Sequence, residues 1–434
     1  MSNELERGHP RVGTCWYESN PRGFPAMVHD TGTEIELVFT FERDDDLERM
    51  TLGRSVIWAD DPEFKKYVYS FPHVVWFADS RGHLCLVGPY NTRCSIGAMR
   101  EGRVRFRYAV QTGDEGISYG SVNSLRSRVE GLEEWMAIGS VSHERVHDGS
   151  SGATDVIRLK RQQSVTFSRR LNATLQPTYN FTISRIPGQS LIGDKIHVHT
   201  RAKKARDWNE HLKLHRSVRD LLVVAGWRRY GVFAVEVRRD SDPVRALARN
   251  VLGPRWAAVT TYDLEEPSGR GMRNRFLFDY DNIGTAGLRR WVRLRDQYWR
   301  GIAGMIHAVG IPGVALETAL SDAAAALESI GYLIAVEAGD APGQKLRPHL
   351  RRITTQIKAE VGFDLEQWLL RLADVYRSVK HPDQPDPDPL LLANTLRETQ
   401  LVFRVWVATR LGVHPDIIQR NLRLVPMSQP YERP

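Results

Sequence analysis

The first half of the chain alternates apolar and polar residues with a period of two. In the segment EIELVFTF, every second residue from Ile35 to Phe41 is apolar. RVRFRYAV and TYNFTI repeat the pattern from Val104 to Val110 and from Tyr179 to Ile183. Such alternation is typical of strands with one buried face and one exposed face. Further short strands are predicted at HVVWFA, HLCLVG, SVTFS and VFAVEV, between clusters of turn residues. The pattern predicts a β-rich N-terminal domain of the sandwich or jelly-roll type.

The second half repeats its apolar residues every three or four positions, which predicts amphipathic helices. A single helix, from about His211 to Ala225, interrupts the first half. The C-terminal stripes begin Trp291-Leu294-Tyr298-Ile302-Met305, Leu316-Leu320-Ala323-Leu327-Ile330-Ile334, Leu346-Leu350-Ile353-Ile357, Leu365-Trp368-Leu372-Val375-Val379 and Leu392-Leu396-Phe403-Trp406. Helices joined by short loops bury such stripes against each other. We therefore predict an α+β fold, with a β-rich domain over residues 1–270 and an all-α bundle of four to five helices over residues 280–425.

The chain is basic and carries few cysteines. Its 434 residues have a formal net charge of +8 and a sequence pI of about 9.4. Arginine makes forked contacts with phosphate, which favours a nucleic-acid partner, although a basic surface also serves solubility. Cys15, Cys85 and Cys94 are not spaced like a metal clip, which favours a reduced intracellular protein. The N-terminus has no signal-peptide pattern, and no run reaches the roughly 20 apolar residues of a membrane span. A cytoplasmic protein without a membrane partner is predicted.

The segment ADVYRSVKHPD carries the most specific chemistry. Asp374, Arg377 and His381 are spaced three and four apart, so they share one face of the predicted helix beside its apolar stripe. Lys380 and Tyr376 lie next to them and could tune the site. Histidine moves protons near neutral pH, and arginine holds phosphate, so this spacing suits phosphodiester chemistry on RNA. The structural alternative is an Arg/His pair that satisfies the last carbonyls of a helix.

These segments resemble a known family. A helical bundle with "RLADVYRSVKHPD" late in one helix, followed by "LLLANTLRETQLVFRVWVATRLGV", resembles the HEPN superfamily. "SLRSRVEGLEEWMAIG" and "EHLKLHRSVRDLLVVAG" are similar to the N-terminal region of ApeA-like proteins, which precedes an ApeA-like HEPN domain. The resemblance implies a metal-independent endoribonuclease without a cofactor, linked to abortive anti-phage defence. It also implies a homodimer whose paired Arg…His motifs line one cleft, RNA as substrate with tRNA among the candidates, and an N-terminal domain that senses a phage-derived trigger.

Carried onto this sequence, the resemblance makes His381 the general acid/base and Arg377 the phosphate anchor. Three residues separate them, fewer than the family motif usually has. That departure keeps a second hypothesis open, in which a non-catalytic HEPN module binds RNA or a protein partner. A third hypothesis is a β-domain that binds a carbohydrate or nucleotide through tryptophans such as Trp58, Trp76 and Trp135, with the bundle used for dimerisation.

Other basic and metal-binding candidates are less specific. Arginines that could contact a phosphate backbone, or form an ordinary solvated face, are Arg289, Arg293 and Arg300 on the first bundle helix and Arg371 on the fourth. Histidines that could build a zinc site, or be ordinary core and surface residues, are His197, His199, His211 and His215. We predict no metal, because no cysteine lies nearby and the zinc-protease pattern is missing.

Overall fold

The computed structural model describes residues 3–43, 45–96, 100–148, 152–183, 190–246, 250–267, 275–307, 309–341, 343 and 345–432. The chain divides into two compact units. The barrel unit consists of Met1–Arg128, His199–Lys213 and Val232–Glu266, and the helical unit of Val129–Val198, Leu214–Gly231 and Pro267–Pro434. The predicted α+β class is confirmed, with a β-rich N-terminal region and a C-terminal helical region.

The strands are, in chain order, β1 (Arg11–Tyr17), β2 (Asn20–Asp30), β3 (Ile35–Thr40), β4 (Val74–Asp79), β5 (Gly82–Ile96), β6 (Arg100–Thr112), β7 (Val122–Val129), β8 (Val141–Asp148), β9 (Gly152–Leu159), β10 (Val165–Ser168), β11 (Ala173–Ile183), β12 (Ser190–Arg206), β13 (Val232–Arg238), β14 (Pro243–Arg245), β15 (Val251–Pro254) and β16 (Ala257–Thr261). The predicted strand segments of the first half are all confirmed.

Six strands close into an antiparallel barrel in the order β6-β3-β2-β1-β4-β5, with β5 pairing back to β6. The predicted sandwich or jelly roll therefore takes the form of a closed barrel. The long β5–β6 ladder, from His83↔Thr112 to Ile96↔Arg100, permits this closure because it leaves β6 an edge for β3. At Gly102, which lies opposite Phe39, a Cβ would stand 2.7 Å from the phenylalanine ring. Glycine thus gives the ring room inside a narrow barrel.

The barrel interior is filled by the predicted alternating residues. Ile35 and Leu37 are fully buried, and Phe39, Val104 and Phe106 are at most 2% exposed. Alternation alone thus predicted which face of β3 and β6 is buried.

The sheet continues outside the closed barrel. There β16 pairs with β6, β13 pairs with β16, and β7 lies between β13 and β12.

The prediction that the apolar residues of TYNFTI form a buried strand face was wrong. In β11, Ala173 and Leu175 are fully buried, but Tyr179 and Phe181 are 42% and 51% exposed. The pairing of β11 with β10 ends at Val165↔Leu175, so the second half of β11 extends beyond that neighbour. The apolar side chains there lack the covering that the first half has.

The helices are α1 (Asp46–Leu52), α2 (Leu132–Met136), α3 (Trp208–Gly226), α4 (Tyr280–Gln297), α5 (Trp299–His307), α6 (Leu316–Ala338), α7 (Leu346–Thr354), α8 (Leu365–Lys380), α9 (Pro389–Leu411) and α10 (Pro415–Leu422). The predicted first bundle helix is two helices, α4 and α5, because the backbone of Tyr298 leaves the helical region at φ −105° and ψ 20°. Its apolar stripe is nevertheless buried on both sides of that break, from Trp291 to Met305.

α6 is the most apolar helix. Among the described residues it is long and apolar enough to cross a membrane, with a window hydropathy of 1.4, but half of that window is buried inside the protein. Its predicted stripe from Leu320 to Ile334 lies in the core of the helical unit. The core helix of a folded domain passes the same test of length and composition.

A buried arginine holds α3 and α9 together in the helical unit. Arg404 of α9 is 1% exposed and donates to the carbonyl oxygens of Val224 at 2.9 Å and Ala225 at 2.6 Å. These carbonyls belong to the last turn of α3, where intrahelical donors run out. Burial lowers the pKa of Arg404 to about 9, so the guanidinium stays charged at pH 7.

Candidate functional site

The site predicted from the motif lies at the C-terminal end of α8. The helix begins after Asp364, whose side chain accepts a hydrogen bond from the backbone of Gln367 at 2.8 Å. Trp368, Leu369 and Leu372 bury one face of α8 completely. The opposite face is therefore the one that presents polar residues to solvent.

The last residue of α8 is Lys380, and His381 is its C-cap. The backbone of His381 is extended, at φ −115° and ψ 111°, and its N–H donates to the carbonyl of Arg377 at 3.0 Å. Pro382 follows and cannot continue the helix. The imidazole is exposed and follows Arg377 by one helical turn. Histidine at this position is thus open to a ligand in solution.

Arg377 belongs to an exposed ion-pair cluster. Its Nη1 lies 3.8 Å from Oδ1 of Asp374, and Arg347 of α7 places its Nη2 2.7 Å from the same oxygen. All three side chains are about half exposed, at 58%, 57% and 44%. Asp374 therefore bridges two guanidinium groups, which leaves the cluster with a net positive charge suited to a phosphate.

Arg347 was missed by sequence reasoning. It lies in the basic run RPHLRR of α7, 27 residues before Asp374, and nothing in that spacing joins the two. Only the packing of α7 against α8 brings them together. Of the predicted supporting residues, Lys380 and Tyr376 also meet, with the ammonium 5.7 Å from the ring centroid.

The four arginines predicted to bind nucleic acid occupy different places. Arg371 pairs with Glu398 of α9, and its side chain is 30% exposed. Arg289 donates twice to the carbonyl of Thr166, at 3.1 and 3.3 Å. Arg293 and Arg300 are exposed, but the break after Gln297 puts Arg300 on α5. The prediction that Arg300 lies on the same helix as Arg289 and Arg293 was therefore wrong.

The predicted histidine group is divided between the two units, with His199 and His211 in the barrel unit. His211 is fully buried; its Nδ1 lies 2.8 Å from Thr200 Oγ1 and its Nε2 lies 3.2 Å from the Val122 carbonyl. Burial lowers the pKa of His211 to about 4. Both ring nitrogens already have protein partners, so this histidine is built into the core. Among the described residues, no three His, Cys, Asp or Glu side chains converge as metal ligands would.

A second candidate site is a cavity of about 1020 Å³ in the barrel unit. It lies beside the β1–β2 turn and the start of β4, and its walls include Tyr17, Asp46, Lys66, Tyr67 and Trp76. Burial, followed by the charges of Asp46 and Asp45, raises the pKa of Tyr17. The cavity thus combines aromatic walls with hydrogen-bonding groups, as small-ligand sites commonly do.

The three tryptophans named as candidate ligand-binding residues lie in three different environments. Trp76 lines this cavity, and its indole N–H donates to the Ile117 carbonyl at 3.0 Å. The guanidinium of Arg49 lies over the ring of Trp58, 5.4 Å from the centroid of that ring. Trp135, in the helical unit, is fully buried. Of these three tryptophans, Trp76 is the one that lines this cavity.

The comparison with known families decides the assignment. Residues 10–291, more than half of the chain, match the family model of ApeA N-terminal domain 1. The chain belongs to the ApeA N-terminal domain 1 family. This confirms the resemblance seen in the N-terminal part of the sequence. No curated protein and no solved structure matches the chain significantly.

The ApeA N-terminal domain 1 match contains the whole barrel and α3, and it ends inside α4. It therefore runs past the domain end predicted at residue 270. The domain indicates an ApeA-type anti-phage defence protein. The Arg377–His381 cluster lies outside the matched residues, so the match carries no information on its role.

Proposed function

We propose that this ApeA-type protein is a metal-independent endoribonuclease whose C-terminal helices form a HEPN domain. One observation carries the proposal: Arg377 and His381 are both exposed, one helical turn apart, at the end of α8. The bridging carboxylate of Asp374 restrains Arg377 beside Arg347. A positioned guanidinium next to an accessible imidazole suits transfer of a phosphoryl group in RNA, with tRNA among the candidate substrates.

The reaction needs no external nucleophile. A neutral His381 imidazole accepts the proton of a ribose 2′-hydroxyl while the 2′-oxygen bonds to phosphorus. The bond from phosphorus to the 5′-oxygen breaks, and a protonated imidazole gives that oxygen a proton. Arg377 binds the non-bridging oxygens, where negative charge accumulates. The products are a 2′,3′-cyclic phosphate and a 5′-hydroxyl.

The two proton transfers call for two imidazoles, and each chain supplies one at this site. We therefore propose that the helical region forms a homodimer in which the ends of two α8 helices face one phosphate. The exposure of His381, Arg377 and Lys380 leaves them available to such a shared cleft. A symmetric dimer uses the same patch of both copies, so a single motif is enough to build the complete site.

The barrel would regulate this activity. We assign the phage-derived trigger to the cavity lined by Tyr17, Tyr67 and Trp76, because it combines aromatic and polar groups. A bound trigger changes an equilibrium only if it has different affinities for the resting and active states. The trigger would accordingly favour the conformation in which two α8 ends meet.

The direct test compares RNA cleavage by the wild type, His381→Ala and Arg377→Ala in EDTA, with analysis of the product ends. We expect the His381→Ala rate to fall by about 100-fold or more, the range for loss of a general acid/base. His307→Ala is the matched control, since His307 is an exposed histidine in the last turn of α5. Equal cleavage by the wild type and His381→Ala, or products with 3′-hydroxyl ends, would contradict the proposal.

A second candidate function is a helical module that binds RNA or a protein partner without cutting RNA. The spacing of Arg377 and His381, and the ion pair that already occupies Arg377, favour this alternative. It predicts that the triggered wild type binds RNA but releases no cyclic phosphate. The same experiment therefore separates the two functions.

A further inference from the structure

One face of the sheet in the barrel unit is unusually basic. In β7, Leu125 and Ser127 are fully buried, whereas Arg126 and Arg128 lie on the other face and are partly exposed. In the part of β12 from His199 onward, Thr200 is fully buried, and Arg201 and Lys203 are exposed. Because β7 and β12 are neighbours and side chains alternate along a strand, these four cations share one face.

The neighbouring strand β13 continues this face. Val235 and Val237 are buried, while Glu236 and Arg238 alternate with them and are partly exposed. Arg126 forms two hydrogen bonds with Glu236, at 2.7 and 2.8 Å, and Arg238 lies 2.9 Å from Asp240. We define the basic sheet face by its five cations and two aromatic residues: Arg126, Arg128, Arg201, Lys203, Arg238, Phe233 and Trp256.

Cations outnumber the carboxylates named on this surface. Arg126 pairs with Glu236 and Arg238 pairs with Asp240, while Arg201 and Lys203 are exposed. The ring of His199 lies among them, and its pKa is lowered to about 4 by burial and then by Arg126, Arg201 and Arg238. A polyanion would meet a favourable potential here.

Aromatic rings are interleaved with the cations. The guanidinium of Arg126 lies 4.4 Å from the centroid of the Trp256 ring, and His199 contacts that ring at 5.5 Å and 69°. Arg128 lies 4.8 Å from the centroid of Phe233. In the β13–β16 register, Glu236 pairs with Ala258, so Trp256 continues this ladder opposite Arg238. Planar guanidinium groups and rings on a sheet offer surfaces on which bases can stack.

The opposite face of these strands is closed by α3. His211 of α3 lies 2.8 Å from Thr200 Oγ1 in β12 and 3.2 Å from the Val122 carbonyl in β7. Trp208, in the first turn of α3, stacks on Tyr108 of β6 with centroids 4.1 Å apart. The sheet therefore has one face devoted to packing against α3, and the basic sheet face lies on the other side.

We propose that the basic sheet face binds single-stranded nucleic acid. The cations would contact phosphates, and Trp256 with its neighbouring guanidinium groups would stack on unpaired bases. A duplex hides its base faces, so it could use only the charges. RNA and DNA strands share the chemistry required, and both are expected to bind. The inference does not depend on the cleavage proposal, because it requires neither Arg377 nor His381.

The test is fluorescence anisotropy with a labelled 12-nucleotide RNA, the matching DNA strand and the RNA duplex. The full chain carries His381→Ala so that the RNA survives. We expect the single strands to bind at least about fivefold more tightly than the duplex, since stacking contributes roughly 1–3 kcal/mol per base. Equal or tighter binding of the duplex would overturn the proposal.

A second experiment reverses the charge of two cations on the basic sheet face. The double variant R201E/K203E should weaken binding by about tenfold or more, because it replaces two phosphate-binding cations with anions. The control R158E/K160E makes the same change at an exposed pair with the same spacing on and beside β9. Equal weakening by both double variants would show general electrostatic attraction and contradict a defined face.

Salt dependence and Trp256→Ala complete the design. With about three phosphates neutralised, raising the salt from 50 to 200 mM should weaken binding of a single strand by roughly 20-fold. Trp256→Ala should weaken binding by about tenfold and leave the salt dependence unchanged, because the ring carries no charge. Wild-type affinity for Trp256→Ala, with an unaltered circular dichroism spectrum, would refute the stacking role.

Discussion

Arg404 provides a prediction whose magnitude follows from the contacts. Replacing it with methionine keeps most of the side-chain volume and removes the guanidinium that donates to Val224 and Ala225. The carbonyl of Ala225 keeps a second donor, the N–H of Leu277 at 2.8 Å. Among the residues that the structure describes, no second donor beyond the helix end reaches the carbonyl of Val224, so this buried carbonyl would lose its partner.

The expected loss of stability is intermediate. An unsatisfied buried carbonyl costs about 1–3 kcal/mol, and the lost charge-assisted bond to Ala225 adds about 1.5 kcal/mol. Removing the cost of burying a charge offsets part of this. We therefore expect Arg404→Met to lower the free energy of unfolding by about 2–4 kcal/mol.

Urea unfolding followed by circular dichroism measures this change through the midpoint and the m-value. Arg410→Met is the matched control on the same helix, since Arg410 pairs with Glu337 and its side chain is 24% exposed. Partly exposed ion pairs contribute about 0–1 kcal/mol, so the control should stay near the wild type. Equal losses in the two variants would refute the argument that Arg404 caps α3.

Two further predictions concern pH and regulation. The folded chain keeps His211 neutral because its pKa is about 4, whereas the unfolded chain takes up a proton near the ordinary value of 6.5. The unfolded state thus binds the extra proton between these values, and stability is lost as the pH falls below about 6.5, by about 2 kcal/mol at pH 5. Urea midpoints at pH 7 and pH 5 should show this loss in the wild type and a smaller one in His211→Gln; identical losses would contradict it. For regulation, Ser70→Trp places a ring in the barrel cavity and should abolish phage protection while the RNA cleavage of the purified protein without trigger stays at the wild-type level, whereas Ser80→Trp, outside the cavity lining, should protect cells normally. Full protection by Ser70→Trp would remove the cavity from the regulatory scheme.

Local patterns of the sequence were sufficient for the elements and for most of the core. Alternation from Ile35 to Phe41 predicted β3 and its buried face, and the stripe from Trp291 to Met305 predicted the buried side of α4 and α5. These predictions succeed because burial of a strand or helix face imposes its own period on the chain. The break at Tyr298 escaped this reasoning, since the apolar period continues through it.

Local sequence patterns predicted only part of the candidate site. Asp374, Arg377 and His381 are neighbours within one helix, so their spacing alone brought them together. Arg347 joins them from another helix, and the basic sheet face gathers residues from β7, β12, β13 and the position just before β16. No spacing in the chain relates such residues.

The sequence by itself determined the α+β class, the strand and helix segments, the resemblance to ApeA-like proteins and the Arg–His pair of α8. The tertiary structure decided that the strands close into a barrel, that Tyr179 and Phe181 stay exposed, and that His211 belongs to the core. The physical reason is the range of the interactions. Periodicity and capping act between residues a few positions apart, whereas strand pairing and helix packing join residues that only the folded chain brings into contact.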